Sequence, residues 1–129
     1  MADLDRTTWI ATIKQRVADT LKIYAPPADL QPARLDAQQL AAMIDHTILK
    51  ADATPAMVEK VCAEAREYRF ASVCVNSCNV GLCVQALSGT GVPVCCVVGF
   101  PLGANLTDVK VFEAQRAMEA GALEIDMVI

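Results

Sequence analysis

Four short apolar runs rich in Val, Ile, Met and Cys recur along the chain, at residues 42–45, 71–75, 93–98 and 123–129. Each is four to seven residues long, the length expected of a buried parallel strand. Segments with helical periodicity separate them. The starts of the runs leave room for one helix in each gap, which argues for successive βα units.

The intervening helices carry their own punctuation. Thr54 before Pro55 reads as an N-cap with proline at the first helical position, and Met57, Val58, Val61, Cys62 and Ala65 then form one apolar face ending near Tyr68. A second helix is predicted from about Asn79, burying Val80, Cys83, Val84 and Leu87 and stopping at Gly89 and Gly91. A third follows Thr107, with Asp108 placed against the helix dipole, and runs through Val111, Ala114 and Met118 to Gly121. Ahead of these units, Ile10, Ile13, Val17, Leu21 and Tyr24 recur at spacings of three or four, an amphipathic helix that Pro26 and Pro27 end. A short helix around residues 36–41 then leads into the first strand. The predicted organisation is an N-terminal helical extension and linker over 1–40, read as a packing or oligomer element, and a βα domain over 41–129.

Period-two alternation gives the strands two faces. In the last run Leu123, Ile125, Met127 and Ile129 share one face, while Glu124, Asp126 and Val128 share the other. In the first, Met43, Asp45 and Thr47 oppose Ile44; in the second, Ser72, Cys74 and Asn76 oppose Val73 and Val75. If helices cover the apolar face, the polar one looks into the interior of a barrel, and the strands' C-terminal ends are where such folds build their sites.

Composition narrows the class. The chain has 129 residues, 54% of them hydrophobic, which suits one globular core and excludes a solvated tail. Fifteen acidic against eleven basic residues, a net charge of −4, and no basic cluster argue against nucleic acid as a partner. The apolar stretch from Val92 to Ala104 is broken by Pro93, Gly99, Pro101 and Gly103 and is too short to cross a bilayer, and the N-terminus lacks the order of a secretion signal. A soluble, cytoplasmic protein without membrane partners is expected. The six cysteines, at 62, 74, 78, 83, 95 and 96, form no Cys-x-x-Cys pair, and His46 is the one histidine. Reduced thiols packed as small apolar groups account for most of them better than zinc or disulfides.

Asp45 and Asp126 stand out, because a buried carboxylate needs a partner. Either could be a strand-end aspartate bonded to a loop amide, or an acid or base. Lys50 lies close to the first strand's end. It reads equally as an exposed loop residue or as a lysine whose lowered pKa would let it attack a carbonyl.

The segments Ile44-Asp45-His46-Thr47-Ile48-Leu49-Lys50-Ala51-Asp52-Ala53-Thr54, Ser72-Val73-Cys74-Val75-Asn76, Val98-Gly99-Phe100-Pro101-Leu102-Gly103 and Gly121-Ala122-Leu123-Glu124-Ile125-Asp126-Met127-Val128 resemble, in order, those of deoxyribose-phosphate aldolase. The resemblance runs from about Leu40 to the C-terminus. It implies an α/β fold, part of a TIM (β/α)8 barrel with about four parallel strands and three intervening helices. It also implies a class I aldolase that reversibly cleaves 2-deoxy-D-ribose 5-phosphate to acetaldehyde and D-glyceraldehyde 3-phosphate through a lysine Schiff base, with no metal or organic cofactor. By motif, Asp126 matches the family's proton-relay aspartate. Asp45 and Thr47 match pocket residues that hold the lysines, and Cys74 matches a thiol near the substrate. Lys50 matches a position that is not the Schiff-base lysine, which weakens a catalytic role for it.

The chain stops where a fourth strand of eight would end, whereas a TIM barrel needs about 250 residues. The family's Lys-Thr-Ser-Thr-Gly segment, with the Schiff-base lysine, its second catalytic lysine and its phosphate-binding loops would lie beyond. The expectation is therefore a truncated form, inactive alone, that takes a phosphorylated sugar only in the complete enzyme. Two other classes stay open: a non-catalytic half-barrel that associates, with a copy of itself or with the absent half, through its uncovered strand edge, and a thiol or metal module, against which the cysteine spacing argues. Within the enzyme class, another Schiff-base aldolase on the same barrel is a further alternative.

Overall fold

The computed structural model describes residues 6–23 and 34–129. The chain divides into two compact units, Met1–Arg34 and Leu35–Ile129. In the first, helix α1 spans Arg6–Ile23. Tyr24, Pro26 and Pro27, to which the sequence assigned the end of this helix, lie outside the described residues.

The second unit opens with α2, Ala37–Ala41. Its start is held by a reciprocal cap: the Gln39 amide donates to Asp36 Oδ1 at 2.7 Å, and the Asp36 amide donates to Gln39 Oε1 at 3.0 Å. Strand β1 is Asp45–Ile48, not the run at 42–45. After α2 the amides of Met43 and Ile44 donate to the carbonyls of Leu40 and Ala41, so that run is spent in a turn. Extended pairing begins where Asp45 meets Ser72.

From there the units alternate as the periodicity predicts. Helix α3 (Pro55–Tyr68) is capped by Thr54, whose Oγ1 accepts from the Met57 amide, and ends at Arg69 in the left-handed conformation. Strand β2 (Ser72–Val75) leads through a 3-10 turn, Ser77–Asn79, into α4 (Val80–Ala86). Strand β3 (Val94–Val98), helix α5 (Thr107–Glu119) and strand β4 (Glu124–Met127) complete the unit. The four strands are parallel and ordered β1-β2-β3-β4.

One face of the sheet is the core. Ile48, Val73, Val75, Val94 and Cys96 pack there against Val58, Cys62 and Ala65 of α3, Val80 and Cys83 of α4, and Ala117 of α5. Each fully buried valine contributes roughly 1.5–3 kcal/mol. His46 also points to this side, where its Nε2–H donates to Glu64 Oε2 at 2.7 Å and its ring lies 4.7 Å from that of Phe70.

Helix α5 follows its expected span, but its buried positions are not its large apolar ones. Val111 and Met118 are half-exposed, and the buried positions are Lys110 and Ala117. A backbone amide and two carbonyls at the strand ends require partners on this face. Lys110 and Glu113 supply them. Among the described residues, no helix is long and apolar enough to cross a membrane.

Candidate active site

The sheet face opposite the core carries the candidate chemistry. Thr47, Cys74, Cys95 and Glu124 stand side by side across the four strands. Cys74, Cys95 and Val97 are buried and form a small apolar patch with Leu49. Asp126 lies one step further toward the C-terminal ends, beside Val97, and is exposed.

Asp45 lies at the other corner. It opens β1 at its N-terminal end, where the buried Ser72 hydroxyl donates to its Oδ1 at 2.6 Å. Its own carbonyl accepts from Thr47 Oγ1 at 2.7 Å. Asp45 and Asp126 thus occupy the two edge strands, three strand spacings apart, roughly 14 Å along the sheet. They share this face without touching. Lys50 stays exposed in the connection after β1, where its carbonyl accepts from the Ala53 amide. The structure does not bring it between the carboxylates.

The thiols are electrostatically quiet. Burial pushes the Cys74 thiol up; hydrogen bonds with Cys95 and Thr47 oppose the rise, and the charges of Asp126 and Asp45 add to it. Burial, with the neighbouring Cys74, pushes Cys95 to about 12. Cys83 is likewise pushed to about 12 and Cys96 to about 11, burial being the largest cause in both. These groups are protonated at neutral pH, so Cys74 can line a pocket and pack but is a poor nucleophile. All six cysteines are free, and only Cys78 is exposed.

The C-terminal rim of the sheet is organised from α5, which sequence reasoning passed over. Glu113 accepts from the Gly99 amide at 3.0 Å and from Ser77 Oγ at 3.1 Å. Lys110 Nζ donates to the carbonyls of Gly103 and Val128, both at 3.2 Å. The spacing Lys110, Glu113, Ala114, Ala117 is that of one helical face, a signal present in the sequence and hidden by the habit of assigning charged residues to solvent. The β1 end is tied separately, by Asn76 Nδ2 donating to the Leu49 carbonyl at 3.4 Å.

No protein-family model matches the chain. Curated relatives do. A deoxyribose-phosphate aldolase of Clostridium perfringens strain SM101 is 59% identical over 95 residues, covering 74% of this chain and 42% of the relative. That of Geobacillus sp. strain WCH70 is 58% identical over 90 residues, covering 70% and 40%. This chain belongs to the deoxyribose-phosphate aldolase family. Solved structures agree with the family's fold. A Coccidioides immitis structure assigned to the same enzyme superposes with a TM-score of 0.77 at 45% identity, over all of this chain and 50% of that one. The tetrameric aldolase of Aeropyrum pernix gives 0.68 at 36% identity, over 71% of this chain and 39% of that one. The four-stranded unit is thus part of the aldolase barrel, and the chain spans about two fifths of the length of the curated relatives it matches.

Proposed function

We propose that this chain contributes the Asp126 side of a class I deoxyribose-phosphate aldolase site. The carrying observation is the 59% identity to an aldolase of that name, taken with an aspartate on the open face of β4 close to its C-terminal end. In this reading a lysine amine condenses with the substrate aldehyde and expels water. A base then takes the proton of the C3 hydroxyl as the C2–C3 bond breaks. The bond's electron pair passes to the iminium to leave an enamine, and D-glyceraldehyde 3-phosphate departs. Protonation of the enamine carbon followed by hydrolysis of the iminium releases acetaldehyde and the lysine amine. Asp126 takes part in the proton relay with a second lysine. Thr47 and Asp45 support the pocket, Cys74 lines it, and Lys50 stays outside the covalent step. No metal or organic cofactor enters this route.

The 129 residues contain no Lys-Thr-Ser-Thr-Gly segment, so the chain alone is expected to be inactive. Free thiols suit a reducing, cytoplasmic setting. The Aeropyrum relative is tetrameric by description, and a homo-oligomer belongs to this reading.

Retro-aldol turnover of 2-deoxyribose 5-phosphate, with borohydride trapping and mass analysis, tests it. The chain alone gives no turnover and no lysine adduct. Mixed with the remaining C-terminal portion of the Clostridium perfringens relative, it gives both, and Asp126→Asn lowers turnover of the mixture about 10²–10⁴-fold. An adduct on the isolated chain overturns its inactivity. A mixture that assembles and stays inert overturns the aldolase reading.

A further inference from the structure

The inner face holds the residues that the family resemblance singles out, yet the side chains that fix the mouth of that face lie behind it, on the covered side of α5. Lys110 is only 9% exposed. A buried ammonium needs compensation, and the partners of this one are two main-chain carbonyls. One belongs to Gly103 in the β3–α5 connection and the other to Val128, two residues beyond Asp126. Three residues further along the helix, Glu113 holds the Gly99 amide at the end of β3 and the Ser77 hydroxyl just after β2. One helical face therefore grips the exits of β2, β3 and β4 together.

The backbone is shaped to the grip. Gly99 has φ +68°, and a Cβ there would stand 2.8 Å from Cδ of Lys110. Gly103 has φ +64°, and a Cβ there would stand 2.9 Å from Val128 Cγ1 and 3.0 Å from the Ile129 carbonyl oxygen. The connection folds over the lysine stem and closes on itself, the Gly103 amide donating to the Gly99 carbonyl at 2.8 Å. Packing alone is served equally by a methionine at 110. The ammonium adds bonds to two separate rim segments, which methionine cannot make.

We propose that Lys110 and Glu113 are positioning residues: they clamp the β3–α5 connection and the β4 exit, and so set the height and direction of Asp126 at the mouth of the barrel. This rests on the aldolase reading for what Asp126 does, while the clamp itself is a property of the chain. Lys110 acts on the β4 side through Val128. Glu113 acts on the β2 and β3 side through Ser77 and Gly99.

Amide hydrogen exchange and 1H–15N spectra of the full chain test it without substrate, for wild type, Lys110→Met, Glu113→Ala and Glu113→Gln. In Lys110→Met the amides of Gly103 and Val128 exchange about tenfold faster, and the Asp126 resonance moves. Val75 and Cys96, at the centre of the sheet, keep their rates. Glu113→Ala loosens Gly99 and the 77–79 turn, and Glu113→Gln, which keeps an acceptor for the Gly99 amide, restores most of that protection. A rise spread equally over rim and sheet centre assigns the two residues to general stability and overturns the proposal. So does a rim, or an Asp126 resonance, that none of the variants disturbs. Because no substrate is used, absence of aldolase turnover leaves the clamp standing, and an unchanged rim removes the clamp while leaving the aldolase reading intact.

Discussion

The two faces of the same four strands obey different rules. On the helix-covered face, Val73, Val75, Val94 and Cys96 are buried, and the polar groups that reach it, such as His46, bring a partner. On the open face a central patch, Cys74, Cys95 and Val97, is buried together with Ser72, and Asp45, Thr47, Glu124 and Asp126 surround it. Adjacent residues of one strand therefore serve different ends. The first face holds the unit together, and the second presents the Glu124 and Asp126 carboxylates to solvent while Asp45 and Thr47 are held by local hydrogen bonds.

The sharpest way to break this contrast is to put a charge on each face in turn. Val75→Asp buries an unpaired carboxylate among the α3 and α4 side chains and costs about 4 kcal/mol, enough to remove most of the thermal transition followed by circular dichroism. Asp126→Asn, on the exposed side, shifts stability by no more than about 0.5 kcal/mol. A large loss from Asp126→Asn would make the open face a structural one. A smaller effect is expected where the open face is tied down between β1 and β2: Ser72→Ala removes the hydroxyl that Asp45 accepts from, costing about 1 kcal/mol in denaturant unfolding.

The smallest effect is electrostatic and belongs to the covered face. The His46 hydrogen bond holds the Glu64 carboxyl below its ordinary 4.5. Folded Glu64 therefore binds its proton less readily than it does in the unfolded chain. Its stabilisation is complete above the unfolded value and is lost as pH falls through the lowered one. Urea midpoints measured from about pH 6 down to about pH 3 should fall less steeply for Glu64→Gln than for wild type. An identical slope removes the pair from the acid side of the stability profile.

What could be read in the sequence follows the same division. Helix α3 was legible to the residue, because Thr54 and Pro55 state its start in local chemistry. The alternation in β2 and β4 correctly separated Val73 and Val75 from Cys74, and Ile125 from Asp126. Apolarity alone misplaced β1, since residues 42–45 are as apolar as a strand but are consumed by the turn after α2. The buried face of α5 went unread, because the need of distant main-chain groups for Lys110 and Glu113 is invisible until β3 and β4 are in place. Thr47, Cys74 and Asp126 were legible as residues of one sheet face. That Asp45 belongs to the N-terminal end, occupied by Ser72, is a matter of register, which no single strand's pattern carries.

Strand order along the sheet is the same as order along the chain. Each strand pairs only with its predecessor and its successor, and every crossover is one helix long. Such a sheet can grow in one direction as it leaves the ribosome, each new unit docking on an edge already formed without waiting for a distant partner. Until the next strand arrives the growing edge is always the latest one, so each strand in turn presents its unpaired backbone as the exposed edge of the nascent chain.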